Sequence, residues 1–442
     1  MGSTFFKGSG HVVRWADCGI FLFYRLFLTF LKHLSSIPRM LRMPDRKRGC
    51  MQASFSFTAI PSLKFGPGCI GELGKRTAAF GGRVLLVTGS ASLELSGHLR
   101  RILDDLRSHG LRADHCVVSG EPTPDLVDGA VDAFRDNEPE VVVAVGGGSV
   151  LDGGKAIAAM LREAGSVADY LEGVGTRTPS GRSLPMIAVP TTSGTGSEAT
   201  KNAVISTVGN KGFKKSLRHD NYIPKLAIVD PLLCATAPSH LTSACGMDAL
   251  TQLIESYVST NASPLTDALA MDGMTRLIPA LPDVCGAKAD DAGCRGAVAY
   301  GAFLSGVTLA HAGLGVVHGV AGPMGGLVAV PHGVACANLL PAAVGATLDN
   351  LTSADALAPA TVIAKFARIG RLFGACHDEP LSCCRHLVAC LYRWLDELAI
   401  PRLGQFGLTP THVDRLAQTA ANKNNPLPLS NEQIRQMIQD RL

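Results

Sequence analysis

Between Phe55 and Asp230 the chain alternates short aliphatic runs with longer amphipathic stretches. Val84 to Thr88, Asp114 to Val118 and Val141 to Val145 read as strands, whereas Ser92 to His109 and Val127 to Asn137 carry the apolar period of helices. The run Val141 to Val145 is apolar at every position, which suits a strand covered on both faces. Such alternation implies a parallel sheet with helices on either side, and such sheets take ligands at the carboxyl ends of their strands. After Pro231 the pattern changes to long Ala- and Leu-rich segments broken at Gly and Pro. The second half is therefore expected to be helical, with chemistry in the cleft between the halves. Asn422 to Pro428 reads as a loop before a short terminal helix at Asn431 to Arg441.

The strand at Val141 ends in Gly146, Gly147, Gly148 and Ser149, and then enters a helical pattern through Asp152 and Lys155. Glycines let a backbone approach a diphosphate, and the free N–H groups of the following helix, aided by its dipole, complete an anion site. The spacing is not G-x-G-x-x-G, so a plain glycine-rich turn also fits this run taken alone.

Composition adds exclusions. With 46% hydrophobic and 18% charged residues among 442, there is enough apolar material for two cores. Net charge is only +4, much of it within the first fifty residues, and no basic stripe with interleaved aromatics appears, which excludes nucleic acid as the expected partner. The thirteen cysteines form no C-x-x-C pairs, and reduced thiols in a cytoplasmic protein are expected.

Residues 1–50 differ from the rest. Ile20 to Tyr24 and Leu26 to Leu31 make an apolar run interrupted by Arg25 and followed by the basic stretch Arg39 to Arg48. The run is too short to span a bilayer, and His33 to Pro38 makes a poor cleavage site. Met51 stands just before Ser54 to Phe57, where the main body begins. The expectation is a disordered extension or a misassigned start; membrane contact through residues 20–31 and export are the alternatives.

Further along come Pro190-Thr191-Thr192-Ser193-Gly194-Thr195-Gly196-Ser197-Glu198, Ala227 to Pro231, Gly246-Met247-Asp248-Ala249-Leu250-Thr251-Gln252, His318-Gly319 and Pro331-His332-Gly333. With the glycine run, and in this order, they resemble the iron-containing (group III) alcohol dehydrogenase family, whose GGGSxxDxxK, PTTxGTxSE and GxDALTHxxE motifs are matched nearly letter for letter. The resemblance runs from about Phe55 to the C-terminus. It implies an α/β Rossmann-like nucleotide-binding domain over residues 51–235 and an all-α domain over 236–442, the fold shared with dehydroquinate synthases.

By that resemblance Gly146, Gly147, Gly148 and Ser149 hold the cofactor diphosphate, Thr191, Thr192 and Thr195 contact the nucleotide, and Asp152 and Lys155 lie near the nicotinamide and substrate. For Asp152 a charge favoured by the helix N-terminus is an equal reading. NAD-preferring relatives carry an aspartate where Gly89 stands. A carboxylate there would accept from the ribose 2′-OH and repel a 2′-phosphate, so Gly89 and Ser90 favour NADP with NAD acceptable.

Asp248 and Gln252 lie four apart and share a helix face. The family has Asp and His there, joined by two histidines at the spacing kept by His318 and His332, a set suited to divalent Fe or Zn. Glutamine is the weaker donor, so metal is expected to be held less tightly, chiefly by Asp248, His318 and His332, or left out. Gly322 stands where the family has a histidine near the nicotinamide. Proton relay is then left to the cofactor ribose hydroxyl, a metal-bound water or His311. His318 is counted with Asp152 and Lys155 among the catalytic candidates.

The expected activity is hydride transfer between NAD(P) and a small alcohol or aldehyde, with a divalent metal polarising the oxygen, in a homodimer or higher homo-oligomer. A metal-free reductase resembling maleylacetate reductase is the first alternative, against which Asp248 argues. A nucleotide-binding protein without turnover is the second.

Overall fold

The apolar run at residues 141–145 lies inside a six-stranded, all-parallel sheet in a computed structural model that describes residues 54–353 and 358–442. The strands are β1 (Ser62–Phe65), β2 (Arg83–Gly89), β3 (Arg112–Val118), β4 (Val141–Gly146), β5 (Met186–Pro190) and, after a hairpin of β6 (Asn202–Thr207) and β7 (Phe213–Arg218), β8 (Leu226–Val229). Their order across the sheet is β1-β8-β5-β4-β2-β3, and β6 pairs only with β7, antiparallel. The expectations for residues 1–50, including membrane contact at 20–31, lie outside the described residues.

Period-two geometry explains why β4 has no polar face. Val141, Val143 and Val145 pack into one apolar cluster, while Val142 and Ala144 pack into another on the opposite face. The first cluster is roofed by α1 (Leu73–Thr77), α2 (Ser92–Leu95) and α3 (His98–Ser108), through Leu73, Leu93, Ile102 and Leu106. The second is covered by α4 (Pro124–Phe134), α5 (Gly148–Met160) and the hairpin, through Val127, Val131, Ile157, Ala203 and Leu217. Each fully buried valine is worth about 1.5–3 kcal/mol, so one polar replacement in this run would be severe.

Two sequence expectations are refined here. The helix expected over Ser92 to His109 is broken at Gly97, whose φ of 72° is left-handed and ends α2 before α3 begins. The helix expected from Val127 starts earlier, because the Thr123 side chain accepts from the Leu126 N–H and Pro124 occupies the first turn. The antiparallel hairpin was not anticipated, since its strands carry Asn202, Lys214, Lys215 and Arg218 and show little apolar alternation.

Beyond Val229 the regular elements among the described residues are helices: α6 (Ser239–Val258), α7 (Pro264–Cys285), α8 (Ala292–Ala312), α9 (Val316–Leu327), α10 (His332–Ser353), α11 (Ala358–Leu372), α12 (Pro380–Glu397), α13 (Pro410–Thr419) and α14 (Asn431–Gln439), with short 3-10 turns between some of them. α6 is buried almost all round, as Leu250, Leu253, Ile254 and Tyr257 meet α7, α8 and α10 in one large core. α10 is long and apolar enough to cross a membrane by composition, yet 72% of that stretch is buried inside the protein, as in a core helix. The chain thus combines a Rossmann-like α/β half with an all-α half, as the motif order implied.

Candidate active site

The glycine turn is built by chain geometry at the end of β4. Gly146 pairs with Pro190 of β5, and Gly147 caps α5 without any side-chain hydrogen bond. The Val150 and Leu151 N–H groups already donate to Gly147 O, so the N–H groups of Gly148 and Ser149 remain for a ligand. The loop after β5 closes over this turn, with Thr191 N–H donating to Gly146 O at 2.9 Å. A Cβ on Gly148 would lie 2.5 Å from Thr195 Cγ2, and one on Gly147 would lie 3.3 Å from Thr192 Oγ1. Thr192 and Thr195 therefore stand directly over the helix N-terminus. Gly89 ends β2 beside Val118 of β3, at the same carboxyl edge of the sheet, and exposed Ser90 follows it.

Asp152 and Lys155 hold this loop. Lys155 is 1% exposed, and its ammonium donates to Ser197 O at 2.9 Å, Ser197 Oγ at 3.1 Å, Thr200 Oγ1 at 3.1 Å and Asn202 O at 2.7 Å. Asp152 accepts from Ser197 Oγ and, at 3.0 Å, from the Val204 N–H, and lies 3.7 Å from Lys155 Nζ. Burial pushes the Asp152 carboxyl up and the Lys155 ammonium down, each opposed by the other's charge. Neighbouring Glu198, also buried, is raised to about 7, mainly by desolvation. With so many oxygens around one ammonium, Lys155 ties the 197–202 segment to α5. Asp230 of the Ala227–Pro231 motif is likewise committed, accepting from the Gly68, Ile70 and Leu232 N–H groups.

A second cluster begins one helical turn from that loop. A Cβ on Gly194 would lie 2.8 Å from Cys245 Cβ, and Asp248 follows Cys245 by three residues on α6. Here the side chains of Asp248, His318 at the start of α9, and His332 and Cys336 on the first turns of α10 come together, with ligand atoms all within 4.8 Å of one another. His318 Nε2 is 3.3 Å and His332 Nε2 3.9 Å from Asp248 Oδ1, and the Cys336 Sγ is 3.6 Å and 3.7 Å from the same two nitrogens. Although it lies close to His318, Asp248 Oδ1 is buried in a geometry that makes no hydrogen bond.

Glu255, one helical turn beyond Gln252 and absent from the sequence-derived set, fixes the His318 ring. Its carboxylate accepts from the Val317 N–H at 2.7 Å and lies 2.7 Å from His318 Nδ1, which turns Nε2 into the cluster. Burial would raise the Asp248 carboxyl, but the His332 and His318 imidazoles outweigh it and hold it at about 2. Burial pushes His332 down to about 4, with Lys214 adding to the effect and Asp248 opposing it. A buried carboxylate oxygen without a hydrogen, facing imidazole nitrogens and a thiol, fits a divalent cation.

Gln252 is buried on the Asp248 face of α6, but its Oε1 accepts from Ser305 Oγ at 2.7 Å. Gly322 faces open space, with nothing within 4 Å of a built Cβ. His311 lies against the segment before β1: its ring stacks on Phe57 with centroids 3.7 Å apart, and its nitrogens meet Val307 O and Thr58 Oγ1. Both nitrogens are engaged there. Cys336 was missed by sequence reading, although its position four residues after His332 puts it on the same helix face.

Residues 61–231 match the family model described as iron-containing alcohol dehydrogenase, and residues 242–442 match that of the Fe-containing alcohol dehydrogenase family C-terminal region. The chain is 34% identical over 386 residues to long-chain-alcohol dehydrogenase 1 of Geobacillus thermodenitrificans (strain NG80-2), covering 85% of this chain and 93% of that one. It is 30% identical over 395 residues to the NAD-dependent methanol dehydrogenase of Bacillus methanolicus, covering 88% and 100%. Among solved structures, 1,3-propanediol oxidoreductase superposes with a TM-score of 0.78 at 30% identity, over 88% of this chain and all of that one. Together with the parallel sheet, the helical second half and the buried carboxylate–imidazole cluster, these matches show that the chain belongs to the iron-containing alcohol dehydrogenase family.

Proposed function

We propose that this protein moves hydride between a nicotinamide dinucleotide and the reacting carbon of a small alcohol or aldehyde, using NADP(H) at least as well as NAD(H) and a divalent metal held by Asp248, His318 and His332. The observation that carries this reading is the buried, unpartnered Asp248 Oδ1 facing two imidazoles one turn from the loop that covers the glycine turn. The nicotinamide supplies the hydride, and the metal, when bound, acts as a Lewis acid on the substrate oxygen. The names of the relatives, methanol dehydrogenase and 1,3-propanediol oxidoreductase, support small primary alcohols as the substrate class.

The chain's own residues bind and orient. The Gly148 and Ser149 N–H groups meet the diphosphate at the positive end of α5, and the hydroxyls of Thr191, Thr192 and Thr195 border it. Lys155 and Asp152 act as positioning residues, keeping the 197–204 segment in place. Glu255 holds His318 in the tautomer whose Nε2 is free to bind a cation. Gly89 leaves room for a 2′-phosphate where a carboxylate would repel it. A cytoplasmic setting is supported by the thiols: all eleven described cysteines are unpaired.

The test is metal analysis with a cofactor and aldehyde screen on the full chain and on protein starting at Met51. Aldehyde-dependent NADPH oxidation that is lost on chelation and restored by Zn or Fe is expected. Full activity without metal and without response to EDTA would instead support the metal-free reductase, and nucleotide binding with no turnover of any aldehyde would support the non-catalytic reading.

A further inference from the structure

We propose that the Cys336 thiolate is the fourth metal ligand of this protein, replacing the imidazole missing at position 252, and that the resulting Asp–His–His–Cys set makes Zn the preferred ion. The inference rests on the metal reading above and adds a residue that the sequence motifs did not assign.

The geometry points to it. In a tetrahedron with Zn–S of about 2.3 Å and Zn–N or Zn–O of about 2.0–2.1 Å, S···N separations come to roughly 3.6 Å and N···O separations to roughly 3.3 Å. The Cys336 Sγ lies 3.6 Å from His318 Nε2 and 3.7 Å from His332 Nε2, while His318 Nε2 lies 3.3 Å from Asp248 Oδ1. The fourth of these edges, His332 Nε2 to Asp248 Oδ1, is wider at 3.9 Å and would close by a small ring rotation. Three edges are therefore already at ligand spacing. Cys336 and Asp248 are 0% and 1% exposed, so neither atom faces bulk water.

Gln252 is already engaged. Its amide oxygen, the only atom it could offer a cation, lies 2.7 Å from the hydroxyl of Ser305, which is fully buried on α8 and shares its one hydrogen between this oxygen and Ala302 O at 2.8 Å. Turning that oxygen toward the cluster would leave Ser305 without this acceptor. Cys336 is free of such ties, since the polar groups around its sulfur, the two imidazoles and the Asp248 carboxylate, are the cluster's own members. As the Sγ–metal bond forms, the thiol proton leaves to solvent. One carboxylate and one thiolate then balance the two charges of the cation, and a sulfur donor in a tetrahedral nitrogen-rich set favours Zn over a harder ion.

The experiment is Co²⁺ loading of the full chain, with absorption spectra and metal stoichiometry, and X-ray absorption on Zn-loaded wild type. The wild type should show the intense near-ultraviolet thiolate-to-cobalt band, and its Zn spectrum should contain one sulfur neighbour at about 2.3 Å. Cys336→Ser should lose the band and bind metal at least about tenfold more weakly, while Gln252→Leu keeps the band. If metal binds with no sulfur neighbour and Cys336→Ser retains it fully, the thiolate proposal is overturned while the metal reading stands. If neither Co nor Zn binds the wild type, both are overturned. The X-ray absorption result decides the matter even if the serine variant fails to fold.

Discussion

The glycine turn and the metal cluster lie a few residues apart through Gly194 and Cys245, yet they are assembled in different ways. The turn is local: Gly146 to Ser149 are consecutive, and the neighbouring loop is delivered by β5, which pairs with β4 along its length. The cluster is remote, since Asp248, His318, His332 and Cys336 come from three helices and meet only because α6, α9 and α10 pack in one core. A site made of consecutive residues keeps its shape as long as one strand–helix turn survives. A site made of distant residues is as stable as the packing beneath it, and it can change a ligand when a new donor arises on any facing turn.

The largest expected effect falls on the cluster. His332→Ala should abolish metal retention and lower kcat by roughly a thousandfold or more, because a lost Lewis acid is worth several kcal/mol, while nucleotide affinity stays near wild type. Metal analysis and nucleotide titration check it; equal loss at both sites would mean that they are not separable.

On the turn side, Glu198 allows a pH test. Its folded value of about 7 exceeds the ordinary 4.5, so the folded state binds more protons between those values and stability falls as pH rises from about 4.5 to 7. The cost above pH 7 is at most about 3 kcal/mol, and Glu198→Gln should flatten that fall. Denaturant midpoints at pH 5 and pH 8 for both proteins measure it. An unchanged pH slope would show that another group is responsible.

Glu255→Gln sharpens the comparison by leaving every proposed ligand in place. A neutral amide can still accept from one N–H but no longer polarises His318, and metal affinity should drop about 10–100-fold. Competition with a chromophoric chelator reads this out. The smallest effect is expected from Gly89→Asp, whose Cβ would sit at an ordinary 3.5 Å from Val150 Cγ2. The new carboxylate should shift the NADH/NADPH ratio of kcat/KM about tenfold toward NADH, without altering metal content.

Much of the first site was legible in the chain. A continuous apolar run ending in glycines suited a doubly covered strand feeding a turn, and the structure puts Val141 to Val145 in that setting. The role of Lys155 was not legible, because its acceptors at Ser197, Thr200 and Asn202 depend on how the loop after β5 folds back over α5. The setting of His311 was not legible for a similar reason: nothing in its own neighbourhood foretold that Phe57, far away in sequence, would stack on it.

The sequence by itself determined the strand–helix alternation of the first half and the glycine turn, since strand period and turn chemistry are properties of neighbouring residues, and its family resemblance pointed to three of the four clustered donors. Only the tertiary structure decided that Gln252 turns its oxygen to Ser305, that Glu255 orients His318, and that Cys336 completes the cluster. Each of those depends on which helix faces which across a packed core. That choice is set by the summed burial of many apolar side chains, and no local pattern encodes it.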